Sequence, residues 1–193
     1  MIMNNHCIMS FDNKLKIKEY AEGYRIFDLR CGSSRGREWK SSVFFFLAMG
    51  MLFILMLNGF DISRFPVAAI VLLICMYMCS YYLYMLPKKA KLRGEHIFKS
   101  SKLLCKEYSF DLYKDYFTMK NEYEYTKKYY TELSDCIETD SIFVLIGGIE
   151  DRLTVIAKKS MNENDRIELS RIFKREMPDR YRRMGRIKNG KNK

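Results

Sequence analysis

Two long runs of uncharged residues constrain the fold of this chain more than any other feature. The first run, 43–60, has 18 residues, and the second, 67–86, has 20. As helices they would be about 27 and 30 Å long, enough to cross a hydrocarbon layer of roughly 30 Å. A core helix of a soluble protein usually keeps a polar face, and neither run has one. The runs are joined by only six residues, so the sequence predicts an antiparallel transmembrane hairpin at 43–87.

Basic residues flank both runs and predict the orientation of the hairpin. They are Arg35, Arg37, Lys40, Lys88, Lys89, Lys91 and Arg93. Because positive charge resists translocation, we expect both termini to lie in the cytoplasm. The protein would then cross the inner cell membrane twice. Aromatic rings that favour the headgroup layer, Trp39 and the tyrosines 81, 82 and 84, fall on the same predicted side.

The N-terminal segment, 1–42, combines a short alternating pattern with a helical stripe. Apolar residues alternate along 6–11 and predict a strand. Asp12 or Asn13 can then cap an amphipathic helix that runs to about Leu29. Its apolar stripe could lie on the membrane or pack against the cytosolic domain, and packing is the simpler interpretation.

After the hairpin the pattern changes from helical to alternating. The basic segment 88–106 predicts a juxtamembrane stalk whose short helix ends near Gly94. Within 107–178, a period of two predicts six strands, at 108–112, 117–119, 123–130, 136–139, 141–146 and 152–157. The tyrosines of the third strand should divide between the core and the surface.

A last amphipathic helix follows the predicted strands. Asn162 can cap it, Leu169, Ile172 and Phe173 form its apolar stripe, and Pro178 marks its end. The sequence therefore predicts an α+β membrane protein: a two-helix transmembrane hairpin, and a small cytosolic antiparallel sheet capped by a C-terminal helix.

The C-terminal tail, 179–193, is strongly basic and is expected to lack regular structure. Residues 171–193 contain ten Lys and Arg against two acids, a net +8 of the +11 carried by the whole chain. For a protein already held at a membrane, anionic lipid headgroups are the nearest partner, and a solvated tail is the alternative. We hypothesise that five residues hold the domain against lipid: Arg180, Arg182, Arg183, Arg186 and Lys188.

No residue pattern predicts a catalytic, cofactor or metal site. The two histidines have no paired acid or nucleophile at a useful spacing, and no glycine loop opens a helix. Cys75 and Cys79 share a helical face, and Met76 and Met78 lie between them in the sequence. Soft sulfur suits Cu(I), but packing is the simpler interpretation. The six cysteines are expected to be reduced thiols. Alternating tyrosine and lysine at 123–130 could suit nucleic acid, although an ordinary sheet surface is favoured.

Three short motifs follow the hairpin: Tyr130-Thr131-Glu132-Leu133, Ile142-Phe143-Val144-Leu145 and Val155-Ile156-Ala157-Lys158-Lys159. They resemble motifs of the bacterial YcxB-like family, although Ala157 stands in place of that family's Pro. The resemblance covers nearly the whole chain and implies a pleckstrin-homology-like (PH-like) domain at the inner leaflet, without implying an activity.

The functional expectation is a non-enzymatic membrane-anchored module whose cytosolic domain binds a protein partner or anionic lipid. The alternative is an accessory or immunity-type subunit of a membrane complex, in which the hairpin makes the important contacts.

Overall fold

The computed structural model describes residues 6–31, 36–57, 59, 66–147 and 153–184. The chain divides into two compact units, one formed by 1–27 together with 93–193, the other by 28–92. We call the first the flanking domain, because its two segments flank the hairpin in the sequence, and the second the hairpin unit. The sequence predicted a separate N-terminal segment at 1–42, but the structure joins most of it to the C-terminal domain.

The hairpin unit consists of two long helices that pack side by side. Helix α2 spans Arg37–Leu57 and α3 spans Pro66–Ser80; a π-helical turn, Tyr81–Met85, continues α3 into α4, Leu86–Ser100. By length and composition two helices could cross a membrane, Glu38–Leu57 and Ala69–Ser100. The sequence prediction of two apolar spans is confirmed at this level.

Aromatic and basic side chains meet within the hairpin unit where α2 begins and the second apolar run ends. The rings of Phe44 and Tyr82 stack with centroids 5.9 Å apart. The Lys40 ammonium lies 5.9 Å from the Tyr82 ring, and the Lys89 ammonium 5.0 Å from the Tyr81 ring. These contacts place the start of one helix beside the end of the other, so the two helices are antiparallel neighbours, as predicted.

The flanking domain contains two four-stranded sheets. In the first, β1 (Met9–Asn13), β2 (Tyr108–Leu112), β3 (Tyr116–Lys120) and β4 (Tyr125–Tyr129) pair antiparallel in that order. The second has the order β7-β6-β5-β8, with β5 (Leu133–Glu138), β6 (Ile142–Gly147), β7 (Leu153–Ala157) and β8 (Tyr181–Arg183). Strand β8 joins β5 in parallel, and the other pairs are antiparallel.

The prediction of a single antiparallel sheet is wrong: the described strands form two sheets, and each has an outer strand from beyond the predicted domain. Strand β1 comes from the N-terminal segment, and β8 comes from the tail that was expected to lack regular structure. The predicted capping role of Asp12 or Asn13 is also wrong, because both residues belong to β1. Short strands of mixed polarity such as these gain their conformation from pairing with distant segments, which local periodicity does not reveal.

Among its described residues, the domain also contains two whole α-helices and parts of two others. Helix α1 spans Ile17–Cys31, α5 spans Lys102–Cys105 and α6 spans Glu163–Glu176; the C-terminal part of α4 is the fourth. The Asn162 side chain caps α6 by accepting the Asp165 N–H at 2.8 Å. The predicted stripe of α6 is fully buried, and the helix ends before Pro178, as predicted.

Helix α4 continues through Gly94, where the sequence suggested an end. A Cβ at this position would lie 2.8 Å from Cβ of Tyr24 and 3.1 Å from Cα of Ala21. Both residues belong to α1, so the missing side chain allows the two helices to approach closely. The glycine therefore serves packing, and packing offsets its cost of about 1 kcal/mol in a helix interior.

A chain of aromatic rings runs through the core of the flanking domain. Successive ring centroids are 5.3 Å apart between Phe11 and Phe110, and 4.9 Å between Phe110 and Phe117. Tyr130 continues the chain to Phe173 on α6, at 6.0 and 6.4 Å. These contacts connect the N-terminal strand to the last helix; Phe11 is half-buried, and the other four rings are almost wholly buried.

Candidate binding surfaces

Asn13 lies at the centre of a buried polar network that joins the two sheets. Its Nδ2 donates to the Tyr108 hydroxyl at 2.6 Å, while its Oδ1 accepts the Ala157 N–H at 3.1 Å and the Ser160 hydroxyl at 2.9 Å. The Tyr108 hydroxyl in turn donates to the Val155 carbonyl, and burial raises the pKa of Tyr108. Because each of these groups has a partner, we assign the network to fold stability.

Glu138 forms a second buried cluster in the other sheet. Its Oε1 lies 2.6 Å from the Lys158 ammonium, and both side chains are about one-tenth exposed. Its Oε2 accepts the hydroxyls of Ser170 and Tyr181. The carboxylate thus connects β5 to α6 and to β8. Its three partners supply the hydrogen bonds that a buried ion pair requires.

The tail residues proposed to bind lipid divide into two groups. One Arg180 nitrogen donates to the carbonyls of Thr131 and Leu133, at 3.2 and 2.6 Å. The Arg182 Nε lies 3.6 Å from the Asp135 carboxylate, whereas Arg183 is exposed. Arg186 and Lys188 lie outside the described residues. Since Arg180 and Arg182 already bind within the domain, Arg183 is the described residue best placed to meet another molecule, and lipid binding stays a prediction.

Strand order explains why Arg180 and Arg182 are engaged. The backbone of β8 pairs with β5, so that the Cys136 N–H donates to the Arg180 carbonyl at 2.9 Å and the Met184 N–H to the Glu138 carbonyl at 2.8 Å. Tyr181 points toward Glu138 from the same strand. The only sequence signal for this strand was one tyrosine among basic residues.

The most distinctive surface feature of the described first sheet is a row of three neighbouring tyrosine rings, which we call the tyrosine ladder: the half-buried Tyr113 and Tyr116 and the exposed Tyr129. Ring centroids are 4.6 Å apart between Tyr113 and Tyr116, and 5.7 Å between Tyr116 and Tyr129. The Lys127 ammonium lies 3.8 and 4.7 Å from the centroids of the second and third rings. Hydrogen bonding to the Tyr129 hydroxyl raises the pKa of Lys127, so the ladder carries a positive charge at neutral pH.

The tyrosines of β4 and its flanks divide between the core and the surface, as predicted, but most of them lie on the surface. Tyr125 and Tyr129 are exposed, by 64% and 41%, and Tyr130 just after the strand is the buried ring. Lys128 instead points inward, and its ammonium donates to the Thr154 hydroxyl at 2.9 Å. An inward lysine on an edge strand discourages pairing with another strand, so the outer face is the part of β4 available for binding.

Cys75 and Cys79, the two cysteines of the second apolar run, pack within the hairpin unit. Cys75 is buried, and the Cys79 sulfur lies 3.3 Å from the Ser41 hydroxyl. Among the described residues, no three His, Cys, Asp or Glu side chains come together as a metal site would require.

Comparisons of the chain with family models, with curated proteins and with solved structures found no match.

Proposed function

We propose that the protein is a non-enzymatic, membrane-anchored module whose flanking domain binds a protein partner on the tyrosine ladder. The observation that carries this proposal is the row of contacting rings, half-buried at Tyr113 and Tyr116 and exposed at Tyr129, beside the exposed Lys127. Tyrosine offers a large amphipathic surface at low entropic cost and is enriched at protein interfaces. Cation–π contacts with Tyr116 and Tyr129 hold the ladder in one arrangement before a partner arrives.

The partner we propose presents carboxylates to this face. Lys127 supplies an unburied cation, and the tyrosine hydroxyls supply hydrogen-bond donors beside it.

The two-part construction of the flanking domain supports the proposed topology. Strand β1 precedes the hairpin and pairs with β2, which follows it. Both flanks must therefore lie on one side of any membrane that the hairpin crosses, and their basic residues favour the cytoplasmic side of the inner membrane. A reporter fused after Lys193 or inserted near Asn4 should be active only in the cytoplasm; activity outside at either site would contradict this topology.

We also propose that the domain is PH-like, as the YcxB-like resemblance implies. Support comes from the two sheets and the C-terminal helix α6 whose Phe173 completes the core. The proposed PH-like domain extends beyond the boundaries predicted from the sequence, 107–178, because β1 of the N-terminal segment is part of the first sheet.

A photo-crosslinking experiment tests the ladder directly. The full chain would carry p-benzoylphenylalanine in place of Tyr129, or in place of Ile167 as a matched control. Ile167 is exposed to a similar extent, 48% against 41%, but lies on α6. In native membranes, irradiation should give one discrete protein adduct from position 129 and none of that mass from position 167.

A charge reversal makes the test specific. Lys127→Glu should reduce the adduct at least fivefold, whereas Lys159→Glu, an exposed lysine outside the ladder, should leave it unchanged. Equal adducts from both crosslinker positions, no adduct at all, or an adduct insensitive to Lys127→Glu would each contradict the proposed surface.

A groove on the hairpin unit favours the alternative, a subunit that acts through its hairpin. It has a volume of about 490 Å³ and an almost entirely apolar lining that includes Phe45, Leu52, Leu72 and Met76. Lipid or a transmembrane helix of another subunit could fill it. A protein adduct from a crosslinker at Met76, with none from position 129, would favour the subunit.

A further inference from the structure

A pocket of about 340 Å³ lies in the flanking domain where α4 ends and α5 begins. Lys99, Lys102 and Lys106 line it, together with Ser101, Cys105 and Tyr123. Its volume falls within the range of sites that bind small molecules. Three lysines around one concave space distinguish it from the apolar groove on the hairpin unit.

The charge of the pocket is poorly balanced by the protein itself. Lys106 pairs with Glu122 at 2.6 Å and donates to the Tyr123 hydroxyl at 2.6 Å. Among the described residues, neither Lys99 nor Lys102 forms an ion pair with a carboxylate. Lys99 lies in the last turn of α4, where the helix dipole favours a cation. This effect does not compensate the charges of Lys102 and Lys106. The remaining excess of positive charge favours an anionic ligand.

The walls of the pocket are fixed in advance by Asn121. Its Oδ1 accepts the N–H groups of Tyr123 and Glu124 at 2.9 Å, which shapes the turn between β3 and β4. Its Nδ2 reaches the carbonyls of Lys102 and Leu103 at 3.5 Å, and Leu103 is buried in the core. A ligand would therefore meet an ordered site and lose little affinity to the ordering of its walls.

We propose that this lysine pocket binds a phosphate group, carried by a phospholipid headgroup or by a soluble phosphoester. Lysine ammonium groups bind phosphate oxygens as compact charges through charge-assisted hydrogen bonds. The Ser101 oxygen accepts the Leu104 N–H at 3.3 Å, which leaves its hydroxyl hydrogen able to donate to a ligand oxygen. The pocket shares no residue with the tyrosine ladder, so phosphate binding does not depend on the proposed protein partner.

Cys105 reports on occupancy because it lines the pocket and is exposed. The full chain in detergent would be alkylated with and without inorganic phosphate or glycerol 3-phosphate, using potassium chloride at equal ionic strength as the reference. Mass spectrometry would follow Cys105 and the exposed Cys7 separately. Saturating phosphate should slow the alkylation of Cys105 at least fivefold and leave that of Cys7 unchanged.

The source of the phosphate is tested with lipid. The same rates would be compared in nanodiscs of phosphatidylcholine with and without phosphatidic acid. Protection by phosphatidic acid but not by soluble phosphoesters identifies a lipid headgroup, and protection by both or by the soluble ligand identifies a general phosphate site. The absence of protection in every arm would overturn the proposal.

Three variants decide whether the lysines are responsible. Lys99→Gln with Lys102→Gln should abolish protection, whereas Lys114→Gln with Lys159→Gln, exposed lysines elsewhere in the domain, should not. Glu122→Gln removes the nearest carboxylate and should lower the half-protecting concentration about threefold, a gain that misfolding would not produce. Protection that survives the first pair, or that chloride reproduces, would overturn the proposal.

Discussion

The hairpin unit and the flanking domain use similar apolar side chains in opposite ways. In the flanking domain Phe110, Phe117 and Phe143 have no exposed surface, whereas in the hairpin unit Phe46 and Phe53 are 72% and 61% exposed. The domain covers its rings with its own strands and α6. The hairpin unit leaves these rings exposed, which is consistent with the proposed insertion of its helices in lipid. The comparison teaches that the same truncation should have different consequences in the two regions.

The largest expected effect comes from truncating a ring at the centre of the domain. Phe173→Ala removes contacts with Tyr130 and Phe143 and should lower the free energy of unfolding of the domain by about 3–5 kcal/mol. Phe46→Ala makes the same chemical change on the hairpin and should leave the stability of the domain unchanged. Pulse proteolysis in urea of the full chain in nanodiscs would measure both.

The surface of α6 provides a control for this pair. Lys174→Ala removes only a cation–π contact with Tyr181 at 5.4 Å, and should cost less than about 1 kcal/mol. If Phe173→Ala and Lys174→Ala had equal effects, α6 would not cover the core, and the contrast between the two regions would be lost.

The second prediction concerns the buried ion pair of the domain. Lys158→Met leaves Glu138 in a buried site with only neutral donors and should cost about 3 kcal/mol. Lys159→Met changes the neighbouring exposed lysine and should cost almost nothing. The same proteolysis measurement applies; a small effect of Lys158→Met would mean that water reaches the carboxylate and that this part of the domain is not closed.

The sequence predicted what depends on local pattern. Two uncharged runs sufficed for the spans, and the spacing of Leu169, Ile172 and Phe173, with Asn162 before them, sufficed for α6. These signals work because a helix satisfies its own backbone, so its apolar face can be read along one segment.

What the sequence did not reveal depends on pairing between distant segments. Strand β1 meets β2 about 100 residues later, and Asn13, which looked like a helix cap, instead bonds to β7. The tyrosine ladder could not be predicted from the sequence for a related reason. Alternation along β4 does not indicate which of its two faces is covered by the rest of the domain. Lys128 belongs to the inner face because Thr154 is there to accept its hydrogen bond.

The third prediction tests whether the N-terminal segment belongs to the domain. Asn13→Leu keeps the approximate size of the side chain but deprives the buried Ala157 N–H of its acceptor and removes the hydrogen bond to the Tyr108 hydroxyl. The expected loss is about 2 kcal/mol of domain stability. Lys14→Gln, at an exposed neighbour, is the control. If Asn13→Leu instead had no effect on the urea midpoint, β1 would contribute nothing to the stability of the domain, and the two-part construction would fail.

The smallest expected effect concerns acid, and it separates the two regions by charge. Neither uncharged run of the hairpin contains a carboxylate that acid could protonate, whereas the sheets of the flanking domain do. There, burial would raise the pKa of Asp111, but hydrogen bonds from Ser10 and Ser109 and the nearby charge of Lys120 outweigh it and lower that pKa. A carboxylate with a lowered pKa stabilises the folded state at pH values above its ordinary pKa of about 4.

This contribution is lost as the pH falls below about 4 and through the lowered pKa, because the unfolded chain then binds the proton more tightly. Asp111→Asn should therefore cost roughly 1 kcal/mol or less at pH 7, and the gap to the unmodified protein should narrow toward pH 3. Equilibrium unfolding in urea, monitored by tyrosine fluorescence at pH 3, 5 and 7, would measure the difference in midpoint between the two proteins. A gap that widens on acidification would reverse the assigned sign and imply that Asp111 is held in its protonated form.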